Sequence, residues 1–78
     1  MKANEMIKVI LRERGESYRE LGERMGVSRG VVGVTLNKSN LTMKTLTKYL
    51  DGVGYDIVFQ PKGSELVEGA RRIREEQE

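Results

Sequence analysis

Residues 17–37 read Ser17-Tyr-Arg-Glu20-Leu-Gly22-Glu-Arg24-Met-Gly26-Val-Ser28-Arg29-Gly-Val-Val-Gly33-Val-Thr-Leu36-Asn37, and this stretch decides the fold. Ser17 with Glu20 three residues later is a capping box, which starts a helix by satisfying its first free N–H groups. Tyr18, Leu21 and Met25 recur at helical spacing along it, and Gly26 stops it. Only Val27 separates Gly26 from Ser28, a good N-cap for the next helix. Two helices joined by so few residues must cross steeply, which is the helix-turn-helix arrangement. On a wheel the following helix, from Arg29 to about Lys38, divides cleanly. Arg29, Gly30, Gly33, Val34 and Asn37 share one face, while Val31, Val32, Thr35 and Leu36 share the other.

Outward from this unit the punctuation stays regular. A first helix is expected over about Ala3 to Arg14, with Met6, Ile7, Ile10 and Leu11 on one face and Gly15 as its stop. Thr42 caps a fourth helix that carries Met43, Leu46, Leu50 and Val53 at core spacing, with Gly52 and Gly54 ending it. From Tyr55 the period changes to two: Tyr55, Ile57 and Phe59 alternate with Asp56, Val58 and Gln60. That reads as a short strand stopped by Pro61 and Gly63. A lone strand leaves its backbone groups unpaired, so a partner strand from a second copy of the chain is expected. Ser64 to Glu78 reads as a weakly amphipathic helix with Leu66, Val67, Ala70 and Ile73 on one side. The expected division is therefore a domain over 1–62 and a helical, partly frayed tail over 63–78.

At 78 residues the chain is one domain with a thin core. It holds no cysteine and no histidine, which removes disulfides, cysteine zinc sites and the commonest general base and metal ligand. The net charge is only +2, but it is unevenly spread. No acid occurs between Glu23 and Asp51, whereas Arg24, Arg29, Lys38, Lys44 and Lys48 all lie there. Such a segment is either a polyanion-facing surface or an uneven solvated face. No segment approaches the ~20 apolar residues that cross a bilayer, so no membrane association is expected.

Catalysis is not expected. Ser17 and Ser28 have no histidine to activate them, and the carboxylate pairs Glu65/Glu68 and Glu75/Glu76 fall on an expected surface helix. Gly52-Val53-Gly54 is too short for a phosphate loop and follows a helix. No cofactor and no metal are implied.

The segment Tyr18–Asn37, with Gly22 at the helix crossing, Gly26-Val27-Ser28 at the turn and Val32 in the third helix, resembles the helix-turn-helix of the phage Cro and repressor class, also called the xenobiotic-response-element type. Leu36-Asn37, Leu46, Tyr49-Leu50 and Gly54-Tyr55-Asp56-Ile57-Val58 extend the resemblance over roughly residues 5–60. It implies a mostly α, four-helix domain with a C-terminal strand that pairs between subunits. The implied function is a sequence-specific transcriptional regulator, a repressor of bacterial or phage origin acting in the cytoplasm. It would bind double-stranded DNA as a homodimer at a palindromic operator.

In that class the third helix lies in the major groove. Carried over by position, the DNA-binding residues are Tyr18, Ser28, Arg29, Gly30, Gly33, Val34, Asn37, Lys38, Ser39 and Lys44. Arg29 is the base reader, because its guanidinium fork matches guanine O6 and N7; the plain alternative is a solvated helix-start residue. Val34 meets a thymine methyl or is ordinary exposed surface, and Asn37 serves a phosphate or an adenine. Tyr18 stands where the class often has Gln, and it is either a phosphate contact or a packing residue. Lys38, Ser39 and Lys44 are phosphate contacts. Gly30 and Gly33 each cost ~1 kcal/mol relative to Ala inside a helix, so they either bring the backbone close to DNA or leave this helix loose until it binds. The dimer interface is Tyr55, Ile57, Val58 and Phe59. Two other readings stay open. One is the antitoxin of a toxin–antitoxin pair, gripping a toxin through the tail. The other is a protein-interaction adaptor of the same fold that does not touch DNA.

Overall fold

The computed structural model describes residues 1–73 and contains four helices: α1 (Ala3–Arg14), α2 (Tyr18–Met25), α3 (Arg29–Leu36) and α4 (Met43–Val53). The molecule is small and mostly helical. Ser17 Oγ accepts from Glu20 N–H while the Glu20 carboxylate accepts from Ser17 N–H, so the capping box is complete. Ser28 and Thr42 are simple N-caps of α3 and α4, their hydroxyls accepting from Val31 N–H and Thr45 N–H. Gly15, Gly26 and Gly54 close α1, α2 and α4 in the left-handed conformation.

The core is a single cluster of Ile7, Ile10, Leu11, Leu21, Val32, Leu36, Tyr49, Leu50 and Val53, drawn from all four helices. α3 shows why packing rather than propensity makes this fold. Its eight residues include two glycines and four β-branched side chains, a poor intrinsic helix former. Burial of Val32, Thr35 and Leu36 and the Ser28 cap hold it, since a helix this short is marginal alone. Close approach requires Gly22 and places Gly52 in tight contact with side chains of α2. A Cβ on Gly22 would stand 2.5 Å from the Val27 carbonyl oxygen, and one on Gly52 would stand 2.9 Å from Leu21 Cδ1. Gly52 therefore lies inside α4, against α2, and does not end the helix as the sequence led us to expect; Gly54 alone closes it.

Polar side chains join elements distant in sequence. Asn4, buried in the first turn of α1, donates from Nδ2 to the Leu36 and Lys38 carbonyls, both at 2.9 Å. It thereby satisfies the free carbonyl end of α3. Arg14 Nη1 donates to Val53 O at 2.7 Å and Arg24 Nε to Gly52 O at 3.0 Å, which closes the C-terminus of α4. Cations suit a helix C-terminus electrostatically as well.

Four expectations change. Val31 is half exposed and Met43 is 63% exposed, so neither belongs to the core. No strand forms among the described residues, and Tyr55–Gln60 runs as irregular chain. Two-residue alternation marks a half-buried surface, but a strand also needs a neighbour for its N–H and C=O groups, and this segment has none among the described residues. The expected tail helix is absent over residues 64–73; its remaining residues, 74–78, lie outside the described ones. Instead the tail makes two isolated turns, closed by Ser64 N–H to Pro61 O and Ala70 N–H to Val67 O. Gly63 and Gly69 take positive φ there, and at Gly69 this interrupts the helical pattern from within.

Candidate nucleic-acid interface

Ser28 sets the start of α3 and so fixes where Arg29 and Gly30 stand. Behind them, the Gly22 contact leaves no room between α2 and the turn, which gives α3 a defined position on α2. Arg29, Gly30 and Val34 lie on the exposed side of α3, with Val34 66% exposed. Arg29 has no ion-pair partner among the described residues.

Tyr18 is half-buried against the core. Its ring covers Gly33, where a Cβ would meet the ring carbons at 3.6 and 3.7 Å, ordinary contact distances. A Cβ on Gly30 would meet only Ser28 Oγ, at 3.9 Å. Neither glycine is therefore demanded by packing or by backbone conformation, unlike Gly22. Both stay in α3 at a cost of ~1 kcal/mol each with no return inside the fold.

Asn37, Lys38 and Ser39 follow the end of α3 and are exposed, as is Lys44 in the first turn of α4. Asn37 is not idle, however. Its Nδ2 donates to Gly33 O at 2.8 Å, and its Oδ1 accepts from Lys8 Nζ. The side chain caps α3 and draws a cation of α1 to this end of the helix. Lys8 and Asn4 were not singled out in the sequence. Their partners lie about thirty residues away, and no local pattern records such a contact.

The cations of the acid-free stretch separate into two groups. Arg24 is committed to the fold, paired with Glu16, which Arg14 also approaches at 3.7 Å. The hydrogen bond from Arg24, followed by the charges of Arg24 and Arg14, holds the Glu16 carboxyl below its ordinary range. Lys38, Lys44 and Lys48, with Arg29, have no ion-pair partner among the described residues and are exposed. None of these four cations is engaged by a carboxylate within the described residues.

The expected dimer residues part company. Tyr55 packs on the core and lies under the Arg14 guanidinium, 5.9 Å from the ring centre. Ile57, Val58 and Phe59 are exposed, Phe59 at 99%. Among the described residues no cluster of three His, Cys, Asp or Glu could hold a metal ion, and no helix is long and apolar enough to cross a membrane. Compared with protein-family models, curated proteins and solved structures, the chain gives no match.

Proposed function

We propose that the chain is a DNA-binding regulator of transcription that inserts α3 into the major groove and acts as a homodimer on a palindromic site. The observation that carries this reading is the pair Gly30 and Gly33. They weaken a short helix that packing does not require them to weaken; Gly30 keeps the surface beside Arg29 and Val34 at backbone height, and Gly33 lets the Tyr18 ring lie flat against α3. A surface that smooth lets a helix sit deep in a groove about 12 Å wide. The four unpaired cations supply the sequence-independent attraction to phosphate, and Arg29 supplies guanine readout. Ile57, Val58 and Phe59 offer the apolar surface on which a second copy would pair, placing two α3 helices about 34–36 Å apart on one face of the duplex.

The same apolar surface favours one rival, an antitoxin whose partner protein covers Val58 and Phe59. Co-purification of a stoichiometric partner from the native host would favour that rival.

The test begins with selection of a preferred site from a random duplex library, followed by fluorescence anisotropy at two salt concentrations. Arg29→Ala should lose ~1–3 kcal/mol on the selected site and relax one base position. Lys44→Ala should weaken all duplexes alike and flatten the salt dependence by roughly one unit of slope. Gly30→Ala should weaken binding without unfolding the chain. If Arg29→Ala loses equally on selected and random duplexes, Arg29 is not a base reader. If the wild type selects nothing, the reading fails.

A further inference from the structure

We infer that residues 61–73 are a strap that holds Tyr55–Phe59 in a non-pairing form, so that self-association requires the strap to open; the inference rests on the homodimer reading above.

The strap is fastened at one residue. Arg71 makes a two-point contact with Glu13 of α1, donates from Nε to the Tyr55 hydroxyl at 3.1 Å, and reaches Met6 Sδ at 3.9 Å. One side chain thus ties the tail both to α1 and to the first residue of the pairing segment. Further along, Gln60 Nε2 donates to the Ser64 and Glu65 carbonyls at 3.1 and 3.2 Å, which folds the chain back on itself where the pairing segment ends. Between strap and helices lies a groove of about 470 Å³, lined by Ile57, by Leu66, Val67 and Ile73 of the strap, and by Ile10 and Leu50 from the helices.

This arrangement opposes pairing. Antiparallel pairing with a second copy needs Tyr55, Ile57 and Phe59 on one face of a flat strand. The strapped segment divides them: Tyr55 is half-buried against the core, Ile57 lines the groove beside the strap, and Phe59 is fully exposed. The strap tethers this segment at its first residue through Arg71 and folds it back at its last through Gln60, which holds it out of an extended form. The latch is also built to yield. It is a surface ion pair with a partly exposed Arg71, and such pairs are weak and screened by salt.

The experiment measures self-association of the full chain by sedimentation equilibrium, with exposure of Met6 to mild oxidation as a separate report on strap opening. Arg71→Ala and Glu13→Gln should each raise Met6 reactivity and tighten the dimer Kd about threefold to fivefold. The charge-exchanged pair Glu13→Arg/Arg71→Glu should return both toward wild type, a rescue that mere loss of stability would not give. Raising salt should tighten the wild-type dimer while it weakens DNA binding. If the wild type dimerises as tightly as Arg71→Ala, the strap does not govern pairing and the inference is overturned while the homodimer stands. If Met6 becomes reactive in the variants yet none self-associates, both the inference and the homodimer reading are overturned.

Discussion

The two halves of this molecule spend their hydrophobic residues differently. In α2–turn–α3, Leu21, Val32 and Leu36 are fully buried, each helix start is capped, and Gly22 lets two backbones meet. In 55–73, Ile57, Val58, Phe59, Leu66, Val67 and Ile73 are all exposed, and beyond Tyr55 the side-chain hydrogen bonds that tie the chain down come from Gln60 and Arg71. The first region has completed its structure within one chain. The second carries apolar side chains that this chain alone does not cover. Stability should therefore reside in the first region and association in the second.

That division can be broken by substitution. Leu36→Ala should cost about 2–5 kcal/mol in denaturant unfolding, because it removes a fully buried side chain from a core too small to repack. A cost below 1 kcal/mol would show that α3 is not integral to the fold. Gly22→Ala comes next, at about 1–3 kcal/mol, since its Cβ must displace the Val27 backbone rather than a flexible side chain. Gly33→Ala has the opposite sign. It should stabilise the chain by about 0.5–1 kcal/mol, because Ala is the better helix former and its Cβ meets the Tyr18 ring at an ordinary distance. Destabilisation there would mean that the fold itself requires that glycine. Phe59→Ser should change monomer stability by less than about 0.5 kcal/mol, while it weakens self-association.

The smallest effect concerns acid. Hydrogen bonding from Arg71, with the charges of Arg71 and Arg14, holds the Glu13 carboxyl below its ordinary range despite some opposing desolvation. A depressed carboxyl stabilises the folded form above its unfolded pKa, and that contribution disappears as pH falls through the lower, folded value. The strap should therefore stay closed at neutral pH and loosen on acidification below the usual carboxylate range. Hydrogen exchange at the Ala70 amide, which bonds to Val67 O, would follow this. Glu13→Gln should remove that acid dependence.

The sequence exposes its helices because their signals are local. Ser17 with Glu20, Ser28, Thr42, and the glycines at 15, 26 and 54 each act within one turn of their own position, and the structure carries every one of them out. The Arg29, Gly30 and Val34 face is legible for the same reason, as it follows from 3.6-residue periodicity. Val31 and Met43 escape that periodicity because they lie at the margin of an apolar stripe, where tertiary packing decides. The partners of Asn4, Lys8, Arg14 and Arg24 are hidden in sequence for another reason: each meets a backbone carbonyl or side chain 28 to 39 residues away. Tyr55–Gln60 shows a strand pattern without a strand, since alternation describes side chains whereas a ladder requires a second backbone. Position 69 breaks the tail helix because its glycine takes a positive φ that the surrounding Leu66, Val67, Ala70 pattern does not announce.

The central claim, that α3 and its flanking cations meet DNA, is tested most directly by mapping amide chemical-shift changes while duplex DNA is titrated into the labelled protein. Saturable changes concentrated at Ser28–Val34 and at Lys38–Lys44, shrinking as salt is raised, are expected. Changes confined to residues 57–73, or no changes at low salt, would contradict it.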